Sequence, residues 1–258
     1  MLKILIIFFV IFYAFFAVVA YFFADHLIFF PPKSSYTDSK NIIKLTTQDG
    51  AKISAVYLPN EKSKYVILFS HGNAEDLGHV MFFLRDLHAQ GYAVFAYDYH
   101  GYGTSKGRPN EAHAYNDINA AYDYLVNNLK ISPKHIIVFG RSVGAAMAID
   151  LATRKPVAGL IIESAFVSAF RVITRIPVLP FDKFNNLKKI KQLHCPVLVI
   201  HAVNDTLVPF WHGQKLYVAI ETPKQHLWIK NANHNDLFWM MDKNYWPAMH
   251  KFVNSLPS

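Results

Sequence analysis

The sequence predicts an α/β fold: a mostly parallel sheet of about eight strands with helices on both faces, preceded by one N-terminal transmembrane helix. Short apolar runs, typical of buried strands, alternate along the chain with segments in which apolar residues recur at helical spacing. This alternation is typical of parallel strands joined by crossover helices. A second observation, the uncharged apolar segment from Ile4 to Ala24, predicts the transmembrane helix.

Residues 1–25 are predicted to be a membrane anchor. The uncharged segment would span about 30 Å as a helix, which is the thickness of one bilayer core. The alternative is a cleaved signal peptide, with Val18-Val19-Ala20 as the cleavage site. The anchor is favoured because the apolar run exceeds the roughly 7–15 residues of a signal-peptide core and continues past Ala20.

The charges around the anchor leave both membrane orientations open. Lys3 and the terminal amine precede the apolar segment, whereas Lys33 and Lys40 follow it, and this difference is too small for the positive-inside rule. A short polar linker with two prolines is predicted at 26–40. The remainder, 41–258, is long enough for one large domain and shows no internal repeat.

The elements of the domain follow in order along the chain. Two strands around a Gln48-Asp49-Gly50 turn are predicted to form an antiparallel hairpin at the edge of the sheet. Further strands are predicted at 65–70, 93–97, 136–139, 157–162, 196–201 and 225–230, with helices between them. Residues 164–193 are predicted to be irregular and to form a short lid, and the last helix is expected from about Asp236 to Val253.

The composition argues against a nucleic-acid partner. The net charge is +8, but the sequence contains no basic run interleaved with aromatic residues. The densest basic cluster is either a solvated face or a surface that rests on anionic lipid headgroups; it consists of Lys183, Lys188, Lys189 and Lys191. Cys195 is the only cysteine, so no internal disulfide can form.

The segment Gly140-Arg141-Ser142-Val143-Gly144 is predicted to be a sharp turn that carries a nucleophile. It follows an apolar strand and leads directly into an Ala-rich, helix-forming segment. The two glycines leave room for the turn, and Ser142 at its apex is expected to be held on strained backbone. The N-terminus of the following helix would favour an oxyanion close to this serine.

A serine hydroxyl needs a base within hydrogen-bond reach and an acid that orients the base. In open α/β sheets these groups lie in loops beyond the carboxyl ends of the strands. Asp205 is the carboxylate that follows one such strand, with Glu163 as its competitor. His234 is the histidine that follows the last strand, and its competitors are His201 and His212. The order Ser142, Asp205, His234 is the one expected for this architecture.

These motifs resemble an α/β-hydrolase-fold serine hydrolase over about residues 40 to 255. The similarity is to small membrane-anchored members related to prolyl-oligopeptidase-type serine peptidases, a group that includes protein depalmitoylases. The matching segments are His71-Gly72-Asn73-Ala74, Tyr97-Asp98-Tyr99-His100-Gly101-Tyr102-Gly103-Thr104-Ser105, Gly140-Arg141-Ser142-Val143-Gly144, Asn204-Asp205 and Asn233-His234-Asn235-Asp236. His100 departs from the pattern, because those relatives usually carry Arg there; altered loop packing or substrate contacts are expected from it.

The resemblance implies a role for each group. Ser142 would attack a carbonyl, His234 would take and return the proton, and Asp205 would hold the imidazole. The oxyanion would be met by the backbone N–H groups of Val143 and of Asn73. Two further residues are expected to support the site: His71 would shape the oxyanion loop and Asp98 would pin the glycine-rich loop.

No cofactor and no metal are expected. The sequence contains no His-Glu-x-x-His motif, and no two histidines spaced four apart lie with a carboxylate. Gly101-x-Gly103 is a weak phosphate-binding signal, because no Lys-Ser/Thr pair opens a helix there.

The apolar residues of the lid segment can be interpreted in two ways. They either fill gaps over the sheet or form an acyl pocket beside Ser142; they are Phe166, Phe170, Ile173, Ile176, Val178, Leu179 and Phe181. With the anchor, the second reading indicates a membrane-tethered serine hydrolase that cleaves acyl ester, thioester or lipid-like substrates. The alternatives are a serine aminopeptidase-like peptidase and a catalytically silent anchored scaffold. Neither the natural substrate nor the oligomeric state follows from the sequence.

Overall fold

The computed structural model describes residues 1–237 and 243–257. The strands are β1 (Ile43–Thr46), β2 (Lys52–Leu58), β3 (Val66–Ser70), β4 (Ala93–Tyr97), β5 (Ile136–Arg141), β6 (Gly159–Glu163), β7 (Val197–Ala202) and β8 (Lys224–Ile229). The helices are α1 (Leu2–Ile28), α2 (Leu77–Ala89), α3 (Glu111–Asp123), α4 (Val143–Arg154), α5 (Arg171–Thr174), α6 (Asn186–Lys189), α7 (Trp211–Ala219) and α8 (Tyr245–Asn254). A π-helical turn at Tyr124–Asn128 extends α3.

The strands form one sheet in the order β1-β2-β4-β3-β5-β6-β7-β8. The pairs from β4 through β8 are parallel, whereas β1–β2 and β2–β4 are antiparallel. The predicted fold class and the antiparallel hairpin at the edge are therefore confirmed. Because β3 to β7 run parallel, their carboxyl ends meet at one edge of the sheet.

The central strands are buried on both faces. In β3, Val66 and Leu68 belong to one core cluster, whereas Ile67 and Phe69 belong to the other. Successive side chains of a strand point to opposite faces, so a strand covered on both sides needs a continuous apolar run. Residues of α3, α4 and α7 pack in the first cluster, and residues of α2 and α8 pack in the second.

Helix α1 and the segment after it lie against the domain. Residues 29–36, called the strap below, leave α1 and cross the domain surface. Phe29 is only 4 % exposed, with its ring 5.9 Å from that of Phe184. The backbone N–H of Ser35 donates to Asp76 at 2.7 Å, and the hydroxyl of Tyr36 donates to the carboxylate of Asp98. The predicted linker at 26–40 therefore contains one turn of helix and a packed strap.

Two boundaries differ from the sequence predictions. Helix α1 continues to Ile28, three residues past the expected end of the anchor, and Asp25 within it pairs with Lys183 at 3.3 Å. The last helix begins at Tyr245, and not at Asp236, which lies in a turn. Residues 238–242 of that predicted helix lie outside the described residues. The segment 164–193 is mostly irregular and holds α5 and α6.

Candidate active site

Ser142 lies at the turn between β5 and α4, on strained backbone. Its φ of 52° is a value that residues with a side chain rarely adopt, and such strain costs on the order of 1–3 kcal/mol. Gly140 and Gly144 allow the turn, because a Cβ on Gly140 would lie 2.3 Å from the carbonyl oxygen of Gly144, and one on Gly144 would lie 2.2 Å from that of Ser70. Ser142 is thus held directly before the N-terminus of the 12-residue α4.

The structure brings Ser142, His234 and Asp205 into one hydrogen-bonded row. Ser142 Oγ lies 3.1 Å from His234 Nε2, and His234 Nδ1 lies 2.7 Å from Asp205 Oδ2. The second oxygen of Asp205 accepts from the backbone N–H groups of Leu207 and Val208, at 3.0 and 2.7 Å. Because a carboxylate only accepts, Nδ1 of His234 carries the proton and Nε2 is free to accept the serine proton.

The competing residues occupy other positions. Glu163 is fully buried, accepts from the hydroxyl of Tyr245 at 2.7 Å, and has a pKa raised by burial. His201 contacts the carbonyl of Val208 at 2.8 Å. His212 accepts at Nδ1 from the backbone N–H of Val167 at 3.1 Å. Of the three histidines considered, His234 is the one hydrogen-bonded to Ser142.

Two backbone N–H groups are available to a developing oxyanion. Val143 is the first residue of α4, so its N–H has no partner within the helix. Among the hydrogen bonds of residues 1–237 and 243–257, neither the N–H of Val143 nor that of Asn73 has a partner. Asn73 lines the same small cavity as Ser142 and His234, with a volume of about 60 Å³.

The side chain of Asn73 is held by the segment that joins α1 to the strap. Its Nδ2 donates to the carbonyl of Ile28 at 2.5 Å, and its Oδ1 accepts from the N–H of Phe30 at 2.9 Å. The hydroxyl of Tyr102 also donates to Oδ1, at 2.6 Å. The sequence indicates a backbone role for Asn73, but it carries no signal that the end of α1 orients this side chain.

His71 and Asp98 contact each other beside the loop that contains Gly72 and Asn73. Nε2 of the buried His71 lies 3.2 Å from Asp98 Oδ1, and Nδ1 lies 2.7 Å from the carbonyl of Gly72. Burial alone would lower the pKa of His71. The hydrogen bond with Asp98 and the negative charge of Asp98 outweigh this effect, so the pKa is raised above its usual value. Asp98 also accepts from the N–H of Leu77 at 2.9 Å.

Arg141 connects the elements that carry the site, and sequence reasoning did not find this role. Its Nη1 donates to Glu75 at 2.9 Å, and the other oxygen of Glu75 accepts from the N–H of Gly72 at 2.9 Å. Its Nη2 donates to the carbonyl of His234 at 3.3 Å, and its Nε lies 3.6 Å from Glu163. One guanidinium therefore links the oxyanion loop, the loop of His234 and the end of β6.

The arrangement supports general-base activation of a serine and stabilisation of an oxyanion. Within the described ranges, one group of three His, Cys, Asp or Glu side chains converges closely enough to hold a metal ion, and it consists of Asp49, His100 and His113. None of these three lines the cavity at Ser142.

Comparison with known proteins gives relatives in sequence and in structure. A family model described as "Serine aminopeptidase, S33" matches residues 61–187. The alpha/beta hydrolase domain-containing protein 17B of Xenopus tropicalis is 39 % identical over 197 residues, which cover 74 % of this chain and 68 % of that protein. The human protein of the same name is 38 % identical over 197 residues, with the same coverage of 74 % and 68 %.

Solved structures share the fold. An esterase of Pyrococcus furiosus superposes with a TM-score of 0.74 and 21 % identity, covering 88 % of this chain and 99 % of that chain. The esterase domain of a Rhodothermus marinus protein gives a TM-score of 0.63 and 20 % identity, covering 82 % of this chain and 98 % of that chain.

Proposed function

Because the chain belongs to the family of alpha/beta hydrolase domain-containing protein 17, we propose that it is a membrane-tethered serine hydrolase that cleaves acyl ester or thioester bonds. The observation that carries the proposal is the row from Ser142 Oγ through the imidazole of His234 to Asp205, with contacts of 3.1 and 2.7 Å. Membership of the family indicates an α/β hydrolase, and this geometry supports the proposed serine mechanism.

The chemistry would proceed through an acyl-enzyme on Ser142. Ser142 Oγ attacks the acyl carbon while His234 Nε2 takes its proton, and Asp205 stabilises the imidazolium that forms. The N–H groups of Val143 and Asn73 receive the negative charge on the carbonyl oxygen. His234 then returns the proton to the departing alcohol or thiol, and a water activated by His234 releases the acid and frees the serine.

An apolar cavity between α1 and the lid supports an acyl substrate. The cavity has a volume of about 250 Å³, and its lining is almost entirely apolar. The lining comprises Phe16, Val19, Ala20, Phe23, Ala24 and Leu27 of α1 and, from the lid, Phe170, Ile173, Thr174, Pro177, Val178, Leu179, Phe181 and Asp182. Leu27, which lines the cavity, directly precedes Ile28 in the chain, and the carbonyl of Ile28 accepts from the side chain of Asn73.

Helix α1 supports membrane tethering. Within the part of the chain that the structure describes, it is the one helix long and apolar enough to cross a membrane, with 27 residues and a mean hydropathy of 2.8 in its most apolar window. The lid lies along it from Asp25, which pairs with Lys183, to Tyr13, whose hydroxyl donates to the carbonyl of Val178 at 2.9 Å. These contacts extend over about 18 Å of helix.

A bilayer around α1 would therefore also surround part of the lid. Ile173, Ile176 and Val178 of the lid are 87 %, 66 % and 45 % exposed. Exposed apolar side chains grouped beside an apolar helix are typical of a surface that contacts lipid. A lipid-linked acyl chain could then enter the cavity without leaving an apolar environment.

The first experiment tests the nucleophile. The full-length protein in detergent is treated with a fluorophosphonate probe, and labelling is expected in the wild type and absent in Ser142→Ala. Activity is then measured on p-nitrophenyl esters from acetate to palmitate, on an acyl thioester and on aminoacyl amides. A wild type that takes no label would indicate a silent scaffold, and cleavage of the amides alone would indicate a peptidase.

The second experiment tests the acyl cavity. Ala20→Phe places a large side chain in the cavity lining, whereas Ala14→Phe makes the same change at an exposed position of the same helix. Ala20→Phe is expected to lower kcat/KM for palmitate about tenfold or more while acetate hydrolysis is kept, because displacing about two methylenes from the cavity, at about 0.8 kcal/mol of apolar burial each, costs about 1.6 kcal/mol. Identical chain-length profiles for the two variants would reject the cavity as the acyl site and leave the esterase chemistry intact.

A further inference from the structure

Three side chains that could bind a metal ion lie together away from Ser142, beside the turn between β1 and β2. Asp49 is in the β1–β2 turn, His100 follows β4, and His113 is in the first turn of α3. Nε2 of His100 lies 3.2 Å from Asp49 Oδ2, and Nε2 of His113 lies 3.6 Å from the same oxygen. The three ligand atoms lie within 4.8 Å of one another.

These distances fit a tetrahedral metal ion. With metal–nitrogen and metal–oxygen bonds of about 2.0–2.1 Å, two ligands of a tetrahedral Zn²⁺ lie about 3.3 Å apart. The two distances to Asp49 bracket this value. The rings of His100 and His113 stack with their centroids 4.5 Å apart and an interplanar angle of 22°, so His113, whose side chain is 32 % exposed, would have to turn for both Nε2 atoms to face one ion.

Hydrogen bonds on the far side of both imidazoles direct the free nitrogens toward Asp49. Nδ1 of His100 lies 2.6 Å from Asp117 Oδ1, and the other oxygen of Asp117 accepts from the backbone N–H of His100 at 2.9 Å. Asp117 is fully buried. A carboxylate that holds Nδ1–H while Nε2 faces a metal is the arrangement found around histidine ligands in general.

His113 is held in the same way. Its Nδ1 lies 2.7 Å from the carbonyl oxygen of Arg108, and a carbonyl can only accept, so Nδ1 carries the proton. The amide nitrogen of Asn110 is more distant, at 3.1 Å, so the carbonyl contact decides the tautomer. Asp49 is also oriented, because the hydroxyl of Thr47 donates to Oδ1 and leaves Oδ2 to the histidines.

We propose that Asp49, His100 and His113 form a binding site for a divalent transition-metal ion, with Zn²⁺ the best match. Two imidazole nitrogens and one carboxylate oxygen suit Zn²⁺ over Ca²⁺ or Mg²⁺, which prefer oxygen ligands. A water would complete the tetrahedron, since Asp49 and His113 are partly exposed to solvent. The buried carboxylate of Asp117 adds negative charge beside the ion.

The site would cross-link three segments that are distant in sequence. Asp49 belongs to the edge hairpin, His113 to α3, and His100 to the loop whose Tyr102 hydroxyl donates to Asn73. A bound ion would therefore stabilise the loop that supports the oxyanion residue. Its role is structural, since none of the three ligands lines the cavity at Ser142.

A competing reading is that His100 only provides a cation between Asp117 and Asp49. The variant His100→Arg separates the two readings, because a guanidinium keeps the positive charge but does not bind Zn²⁺. His113→Ala and Asp49→Asn remove one ligand each at partly exposed positions, so these variants are expected to fold. His79→Ala, which removes a half-exposed histidine outside the cluster, is the matched control.

The test is zinc binding by the chelator-treated full-length protein at pH 8, measured by titration calorimetry and by thermal unfolding. We expect one Zn²⁺ per chain with a dissociation constant in the micromolar range or below, and binding weakened at least tenfold in the three ligand variants. Zinc at 100 times the dissociation constant should raise Tm by about 5–10 °C in the wild type and in His79→Ala. Substitution with Co²⁺ should give the visible absorption of a tetrahedral complex.

Two results would overturn the proposal. One is the absence of zinc binding at micromolar concentration in the wild type. The other is binding that persists in His113→Ala and His100→Arg, which would show that zinc is held by other histidines of the chain. Since the readouts are binding and stability, they are independent of whether the protein hydrolyses any ester.

Discussion

Replacing Arg141 by Met is expected to lower both stability and turnover. Arg141 is 3 % exposed and lies between Glu75 and the fully buried Glu163. At 3.6 Å and an effective dielectric constant of about 20, the pair with Glu163 is worth about 4–5 kcal/mol of Coulomb energy. Removing one partner of a buried pair leaves an uncompensated charge, so Arg141→Met should lower the free energy of unfolding by about 3–5 kcal/mol.

The same substitution should slow hydrolysis. Glu75 holds the N–H of Gly72, and Arg141 holds both Glu75 and the carbonyl of His234. Without the guanidinium, the loop of Gly72 and Asn73 and the backbone of His234 lose their shared support. Misplacement by about 1 Å costs on the order of 10²-fold in rate, so kcat should fall by ten- to a hundredfold with a smaller change in KM.

Urea unfolding and ester kinetics of a double-mutant cycle test this reasoning. Glu163→Gln removes the buried charge, and Arg141→Met/Glu163→Gln should be more stable than the sum of the single effects predicts, by about 1 kcal/mol or more. The activity loss should remain in the double variant, because Glu75 still lacks its partner. Single effects that add within about 0.5 kcal/mol, or a fully active Arg141→Met, would refute it.

Two further predictions concern the strap and the lid side of the domain. Phe29→Ala should lower the free energy of unfolding by about 3–5 kcal/mol, because a large buried side chain is lost, and should lower kcat, because the strap would release the side chain of Asn73. Phe30→Ala, at a 54 % exposed position, is the control. Equal kinetics of the two variants would contradict the role of the strap. Burial lowers the pKa of His212 from 6.5 to about 4. Between pH 6.5 and pH 4 the imidazole is therefore protonated in the unfolded state but neutral in the folded state. The stability present above pH 6.5 should be lost as the pH falls toward 4. The loss should be on the order of 3 kcal/mol; thermal unfolding from pH 8 to 4 measures it, and His212→Asn, which can still accept from Val167, should flatten the profile if His212 is its source.

The hydrogen bonds of Asn73 to Ile28 and Phe30 connect α1 to the proposed oxyanion site. Deleting the apolar N-terminus to obtain a soluble protein would remove the partners of the Asn73 side chain together with the proposed membrane helix. A truncated protein that lacks residues 1–30 therefore tests two properties at once. Point changes such as Phe29→Ala separate them.

The sequence predicted those features that local chemistry controls. The turn at Ser142 needs Gly140 and Gly144 because nearby backbone atoms leave no room for a Cβ, and this requirement is visible in five consecutive residues. The central strands follow from short continuous apolar runs, and the helices follow from apolar residues that recur with a period of about 3.6. Asp205 and His234 could be proposed from the sequence because parallel strands bring their carboxyl ends to one edge of the sheet, so position along the chain translates into position in space.

Only the tertiary structure decided what the remaining side chains contact. The partners of Arg141 come from two loops and the end of β6, and the side chain of Asn73 is held by a segment that the sequence predicts to be a polar linker. Asp49 and His100 are 51 residues apart, with no local spacing that predicts a shared site. Backbone preferences and the order of the strands can be predicted from neighbouring residues. The contact between Asp49 and His100 instead depends on how the edge hairpin, the loop after β4 and the start of α3 pack together. The sequence by itself therefore determined the fold and the row of candidate catalytic residues, and packing determined their supports and the metal-binding cluster.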